Sequence, residues 1–288
     1  MPLGYVGKPA CLPVCKGVSN SFTHWPPGII CIERRGTVVL RFFATLLAFI
    51  ILLPFLGLSI YTTPSELWHA LTNPDVLDAL KNSFLGATYA TLFAAIFAIP
   101  LGYALARDVL KPRKLWLTLL NIPAMVPHSV GGVVILLTFS PKYSPIGKFF
   151  ADHGFYITGT MLGVVLAMWI VSVPYFINAA YDAFKSVPHG LEKAAMSMGA
   201  SPLMAFWTIT LPLGLRGLIT GAIQTWARAV SEFGAVVMVS YYPKTAPVMV
   251  YELFNNFGLK KSIPVAVITM TMSAVIFITI RLWGGKDA

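Results

Sequence analysis

The stretch "EKAAMSMGASPLMAFWTITLP", residues 192–212, lies between two long apolar runs. It opens with Glu192, Lys193 and the pair Ala194-Ala195, passes Gly199 and ends in Leu211-Pro212. Just upstream, Ser186 stands in a capping position and Pro188 near a first helical turn, while Gly199 is a natural stop. The spacing predicts a short helix from about Pro188 to Met198. A second helical stretch follows, broken by Pro212, and leads into the next apolar run. A helix with so little bulk lets another protein's groove come close to its backbone and reads as a docking helix. The competing reading is an ordinary amphipathic linker.

The surroundings set the class. Of 288 residues, 57% are hydrophobic and 11% charged, whereas soluble domains carry roughly 25% charged residues. The deficit is concentrated in runs of the length a bilayer demands, about 20 residues per helix. Six spans are expected: Phe42–Tyr61, Ser83–Ala106, Leu115–Phe139, Gly159–Tyr181, Leu218–Ser240 and Ile263–Trp283. The runs are continuous rather than alternating, which excludes a β-barrel. The fold class is an all-α integral membrane protein, and the docking helix falls between spans four and five.

The net charge of +10 raises the question of a nucleic-acid partner, but the placement of the charges answers it. With both termini inside, 14 Lys and Arg lie on the inner side and six outside (Lys81, Lys142, Lys148, Lys244, Lys260 and Lys261), with Arg228 inside a span. This is the positive-inside asymmetry of a multi-pass protein of the cell membrane with both termini cytoplasmic. No RNA- or DNA-binding motif accompanies it.

Residues 1–36 read as a cytoplasmic tail, rich in Gly, Pro and Ser and without helical periodicity, and 37–288 as the transmembrane domain. Cys11, Cys15 and Cys31 all lie in the tail, and with the lone His24 they match zinc spacing poorly. An odd number of thiols facing a reducing compartment reads as free cysteines rather than disulfides. Between spans one and two, Thr63 or Ser65 can cap an amphipathic helix that sets Leu67, Ala70 and Leu71 on one side and lies on the outer surface. The loop 140–158, rich in Pro and Gly, is expected to pack on the same face. The two halves show no visible internal repeat, which argues against a secondary-transporter fold.

Ionisable groups at bilayer depth are costly and mark function by default. Arg228 and Glu232 are four apart, hence on one helical face. They either line a pathway or gate, with Ser231 beside them, or clamp two helices. In span three, "NIPAMVPHSVGG" (121–132) sets Pro123 and Pro127 four apart, which predicts a kinked helix. Asn121, His128 and Ser129 add polar groups there, and Gly131-Gly132 permits close packing. The segment is a gate element or a packing kink; Pro100 and Pro174 read as simple kinks. No phosphate-binding loop, metal constellation or paired catalytic set is present, so an embedded enzyme is disfavoured. ATP and Mg, if used, bind a separate chain.

Taken together, Ala194-Ala195, Gly199, Ile209 and Leu211-Pro212 stand at the spacing of the signature loop of ATP-binding-cassette importer permeases, which this chain resembles over roughly residues 40–285. The family's acidic residue is Lys193 here, with Glu192 one place earlier. The runs Ser231–Ala235, Ala246-Pro247 and Phe257–Leu259 are similar to those of oxyanion importer permeases, closest to the archaeal tungstate/molybdate branch. The resemblance implies a type I importer permease fold and a coupling helix that carries Pro188, Glu192, Lys193, Ala194, Ala195, Gly199, Ile209, Leu211 and Pro212. It further implies a permease homodimer, two cytoplasmic ATPases that bind ATP and Mg, and an external oxyanion-binding protein. Pro127, His128, Ser129, Arg228, Ser231 and Glu232 are then the pathway or gate set. Sulfate or another anion is the alternative cargo. An ion-coupled transporter or channel would explain the spans but not the signature loop.

Overall fold

The computed structural model describes residues 34–284, so the expectations for the three cysteines, His24 and the tail up to residue 33 lie outside the described residues. Thirteen α-helices follow one another among the described residues. They are α1 (Arg34–Ile60), α2 (Pro64–Thr72), α3 (Pro74–Ala106), α4 (Arg113–Met125), α5 (His128–Phe139), α6 (Pro145–Asp152), α7 (Met161–Ser186), α8 (His189–Ser197), α9 (Pro202–Ala205), α10 (Leu211–Val230), α11 (Gly234–Val239), α12 (Ala246–Phe257) and α13 (Leu259–Gly284), with a π-helical turn at Phe206–Thr210 between α9 and α10. The chain divides into two units, Met1–Pro54 and Phe55–Ala288. In the first, α1 begins at Arg34, inside what reads from the sequence as tail.

Among the described residues five helical stretches are long and apolar enough to cross a membrane: Val39–Leu58, Pro74–Ala106, Met161–Ser186, Pro202–Val230 and Leu259–Ile280. The remaining apolar run is split into α4 and α5, which meet at 100°. The all-helical, six-segment reading therefore stands, with three changes.

The first change is in span three, which breaks outright instead of kinking. Pro123 stays inside α4, whereas Val126 is extended and Pro127 stands at the N-cap of α5. Proline disfavours α backbone in the residue before it, and here that effect ends the helix.

The second change is in span five, which sits earlier in the chain than Leu218–Ser240. Its helix runs from Pro202 to Val230, and Pro212 does not interrupt it. A proline ring clashes with the carbonyl four residues back, and the wider π turn at Phe206–Thr210 just ahead of Pro212 relieves such crowding. The helix then ends, and residues 234–239 form a separate short helix.

The third change is at Ser186. It does not cap the next helix but is the last residue of α7, where its hydroxyl donates to the Ala183 carbonyl at 2.7 Å.

The centre of the second unit is α3 against α7, with α10 packed on both. Hydrocarbon gives helices no hydrophobic drive to associate, so small residues that allow close approach decide the packing. On α3 this stripe is Ala87, Ala90, Ala94 and Ala98, all fully buried. A methyl added at Gly102 would lie 2.6 Å from the Ala180 Cβ, at Gly217 2.5 Å from that of Ala183, and at Gly221 2.5 Å from that of Ala179. Pro100 and Pro174 ride inside α3 and α7 without ending either.

At the end where α3 begins, Thr63 caps α2 in a reciprocal box with Glu66, donating its backbone N–H to the carboxylate at 2.9 Å. Leu67 and Ala70 pack on a cluster formed by Val76, Leu80, Met249 and Ile268, while Leu71 stays exposed. Two of the three residues expected on one side of this helix therefore cover protein. The loop after α5 folds into α6, capped by Ser144.

Candidate functional site

Two places carry the chemistry. At the far end of α3, the chain leaves α7 through extended Val187, and Pro188 is the N-cap of α8 without a side-chain cap bond. The helix stops as the sequence predicts: Gly199 takes φ +96 and donates its N–H to the Met196 carbonyl at 3.0 Å, the left-handed end that glycine favours. Helical rotation separates neighbours in the block. Glu192 and Ala195 face inward and are buried, whereas Leu191, Lys193, Ala194, Ser197 and Met198 are exposed. Downstream, Ile209 and Leu211 are half-buried and Pro212 is exposed.

Glu192 is 2% exposed, and both of its oxygens are taken. The Arg107 Nε donates at 3.0 and 3.1 Å to the two oxygens and Nη2 at 2.6 Å to Oε1. The Tyr103 hydroxyl donates to Oε2 at 3.3 Å, His189 Nδ1 lies 3.2 Å from it, and Thr210 donates to Oε1. Burial pushes the Glu192 carboxyl up, but the hydrogen bonds from Arg107 and Thr210 outweigh it and hold the group below the usual carboxylate range. From the sequence alone Glu192 reads, with Lys193, as part of the docking helix. The structure instead turns it away from Lys193 and into the bundle, because adjacent helical residues point about 100° apart. Arg107 reads in the sequence only as one of the 14 Lys and Arg of the inner side, and Tyr103 and Thr210 carry no signal there.

The second place is where two helices break side by side. α10 ends at Val230 with Ser231 as its cap, and α11 starts anew at Gly234 because the Glu232 carboxylate accepts the N–H of Ala235 at 2.8 Å. Next to it, α5 starts at His128. The two short helices pack so tightly that a methyl at Gly132 would lie 2.8 Å from the Ala235 Cα, and one at Gly234 3.0 Å from the His128 Cβ. Gly131, by contrast, faces open space.

Across this joint Arg228 Nη2 donates to Glu232 Oε2 at 2.8 Å and lies 2.7 Å from His128 Nε2, and His128 Nδ1 lies 3.2 Å from Glu232 Oε2. Arg228 Nη2 also lies 2.8 Å from His128 Nδ1, so one guanidinium nitrogen faces both ring nitrogens and the carboxylate. The Ser231 hydroxyl donates to the Arg228 carbonyl at 3.0 Å. Glu232 is buried, His128 and Arg228 are half-buried, and Pro127, Ser129 and Ser231 are exposed. Sequence spacing anticipates the Arg228–Glu232 pair; His128 joins it from 100 residues away. Asn121 does not join this cluster but exchanges reciprocal amide hydrogen bonds with Asn178 of α7, at 3.2 and 2.7 Å.

Among the described residues no group of three or more His, Cys, Asp or Glu is placed to share a metal ion.

Comparison with known proteins agrees with this architecture. Residues 98–283 match the family described as binding-protein-dependent transport system inner membrane component. The chain is 43% identical over 219 residues, 76% of its length and 83% of the relative's, to the molybdate/tungstate transport system permease protein WtpB of Thermococcus kodakarensis. It is 34% identical over 251 residues to the protein of the same name in Methanocaldococcus jannaschii, covering 87% of this chain and 98% of that one. In fold it is similar to a chain of a bacterial alginate ABC transporter crystallised with its pentasaccharide-bound periplasmic protein, with a TM-score of 0.68 at 17% identity over 88% of this chain and 94% of that chain. The chain belongs to the binding-protein-dependent transport system inner membrane components, the permeases of ABC importers.

Proposed function

We propose that this permease carries a tetrahedral oxyanion of the molybdate/tungstate class inward, powered by ATP hydrolysis on a separate subunit. In this reading two copies of the chain form the pathway, two cytoplasmic ATPases holding ATP and Mg dock on the exposed face of α8, and an external binding protein delivers the anion. Both termini are cytoplasmic, and the chain itself performs no hydrolysis. The observation that carries the reading is the family match over 98–283, because it takes in α8 and both helix breaks. The relatives' names support the cargo.

The physics asks for such an arrangement. A dianion cannot enter hydrocarbon bare, since a buried unpaired charge is prohibitively costly. It needs a polar path that opens to one side at a time. The joint of α5 and α11, spanned by Arg228, Glu232 and His128 and flanked by Pro127, Ser129 and Ser231, supplies polar groups where two helices are already broken. Non-helical backbone at this depth must face protein or water, which suits a gate. Lys193 and Ala194 face outward for the ATPase; Pro188 and Gly199 define the ends of the helix that presents them, and Ile209, Leu211 and Pro212 belong to the helix behind it.

The test is reconstitution with the ATPase and binding protein encoded beside the gene. Vesicles are expected to accumulate tungstate and molybdate only with ATP present, and excess sulfate to compete weakly. Accumulation without nucleotide or ATPase would overturn the proposal.

A further inference from the structure

We propose that Arg107 and Glu192 form a buried linkage that makes the end of α3, together with the start of the long helix leading into α10, follow α8 as one body when the ATPase moves it. The proposal rests on the importer reading and deepens it by naming positioning residues behind the docking surface.

Little else holds α8. It has nine residues, and the side chains it buries are those of Glu192 and Ala195, with Met196 half-buried, so its apolar purchase on the bundle is small. The carboxylate takes over that role. Its oxygens gather donors from the end of α3 (Tyr103 and the C-cap residue Arg107), from the π turn (Thr210) and from α8 itself (His189). Arg107 also donates through Nη1 to the carbonyl of Val187 at 3.3 Å, so one guanidinium grips both the chain entering α8 and the carboxylate within it. Its side chain is 7% exposed, stacked over Tyr103 with its Cζ 5.7 Å from the ring centroid.

Three elements thus meet on one charge pair shielded from water, the setting in which an ion pair is strongest and least screened. The carboxylate has no remaining acceptor site for a partner's side chain, whereas Lys193 beside it is exposed. Glu192 therefore acts within the permease, and the ATPase meets the other face of α8.

The experiment uses the assembled transporter in vesicles, comparing wild type with Glu192→Gln, Arg107→Met and the double variant Arg107→Met/Glu192→Met. The readouts are ATPase co-purification, ATP hydrolysis with and without binding protein, uptake, and thermal stability. A transmitted coupling of ordinary size predicts about tenfold less uptake per ATP hydrolysed, while the ATPase still co-purifies and hydrolysis stays within about twofold and loses its response to the binding protein. The double variant leaves no unpaired buried charge, so it should regain stability yet remain uncoupled.

Recovery of uptake along with stability would show a merely structural pair and overturn the proposal, as would loss of ATPase binding or unchanged uptake in the single variants. If the single variants fail to insert, Thr210→Val, which removes one arm and leaves the ion pair, carries the same prediction with a smaller loss. A wild-type complex that shows no ATP-driven uptake would instead refute the importer reading.

Discussion

A buried charge is only as stable as its partners, and Glu232 shows this at the residue scale. Its side chain is 1% exposed and held by Arg228 and His128. Removing one partner of such a pair costs about 3–5 kcal/mol, because the other is left charged and dry. Arg228→Met should therefore lower the melting temperature of the detergent-solubilised protein markedly, and Arg228→Met/Glu232→Gln should recover most of the loss; equal destabilisation of the two would show the charge is not buried as described. Gly199 is governed by a different term. The space a side chain would occupy there is open, so bulk is not the issue, but φ +96 costs an L-residue about 1 kcal/mol or more. Gly199→Val should fray the end of α8 and weaken ATPase co-purification, while Gly199→Asn, which tolerates left-handed backbone, should be milder. Equal effects from the two would point to sterics instead.

Among the elements, the contact of α5 with α11 has the least tolerance. A Cβ at Gly132 would meet backbone atoms of Ala235 at 2.8 Å, which cannot move aside as a side-chain tip can. Gly132→Val should cost about 1–3 kcal/mol by overpacking, whereas Gly131→Val, facing open space, should cost little; thermal stability of the two variants separates them. At the other end, α12 is tied to the preceding loop by Lys244 Nζ donating to Glu252 at 2.7 Å and the Tyr241 hydroxyl donating to the same carboxylate at 2.9 Å. Burial pushes the Glu252 carboxyl up, but the bonds from Lys244 and Tyr241 outweigh it, so it titrates below its ordinary 4.5. A depressed carboxylate contributes stability above the unfolded value and loses it as pH falls through the folded one. The melting-temperature gap between wild type and Glu252→Gln should thus be full near pH 7 and narrow below about pH 4; a gap independent of pH would mean the charge contributes nothing.

For the whole molecule, what was legible in the sequence and what was not divides along a physical line. Length and apolarity report that a segment prefers lipid, and so all six segments could be read. They say nothing about where a helix stops inside an apolar run, because the breaks at 126–127 and 231–233 come from a proline restricting its predecessor and from a carboxylate capturing the N–H of Ala235, both local events that hydropathy averages away. The Arg228–Glu232 pair was readable because its spacing is local. The bonds to His128 and from Arg107 to Glu192 were not, because they exist only once distant helices pack.

Orientation is likewise a whole-chain property, set by the summed bias of Lys and Arg between the two sides. With Cys11, Cys15 and Cys31 replaced by serine, a single cysteine at exposed Met198, just past α8, should react with a membrane-impermeant maleimide only in opened vesicles. One at exposed Tyr156, in the loop before α7, should react in intact cells. The two sites flank a single traverse of α7, so labelling from the same side would contradict the fold itself, whereas labelling with the sides exchanged would leave the fold intact and put α8 out of reach of any cytoplasmic ATPase.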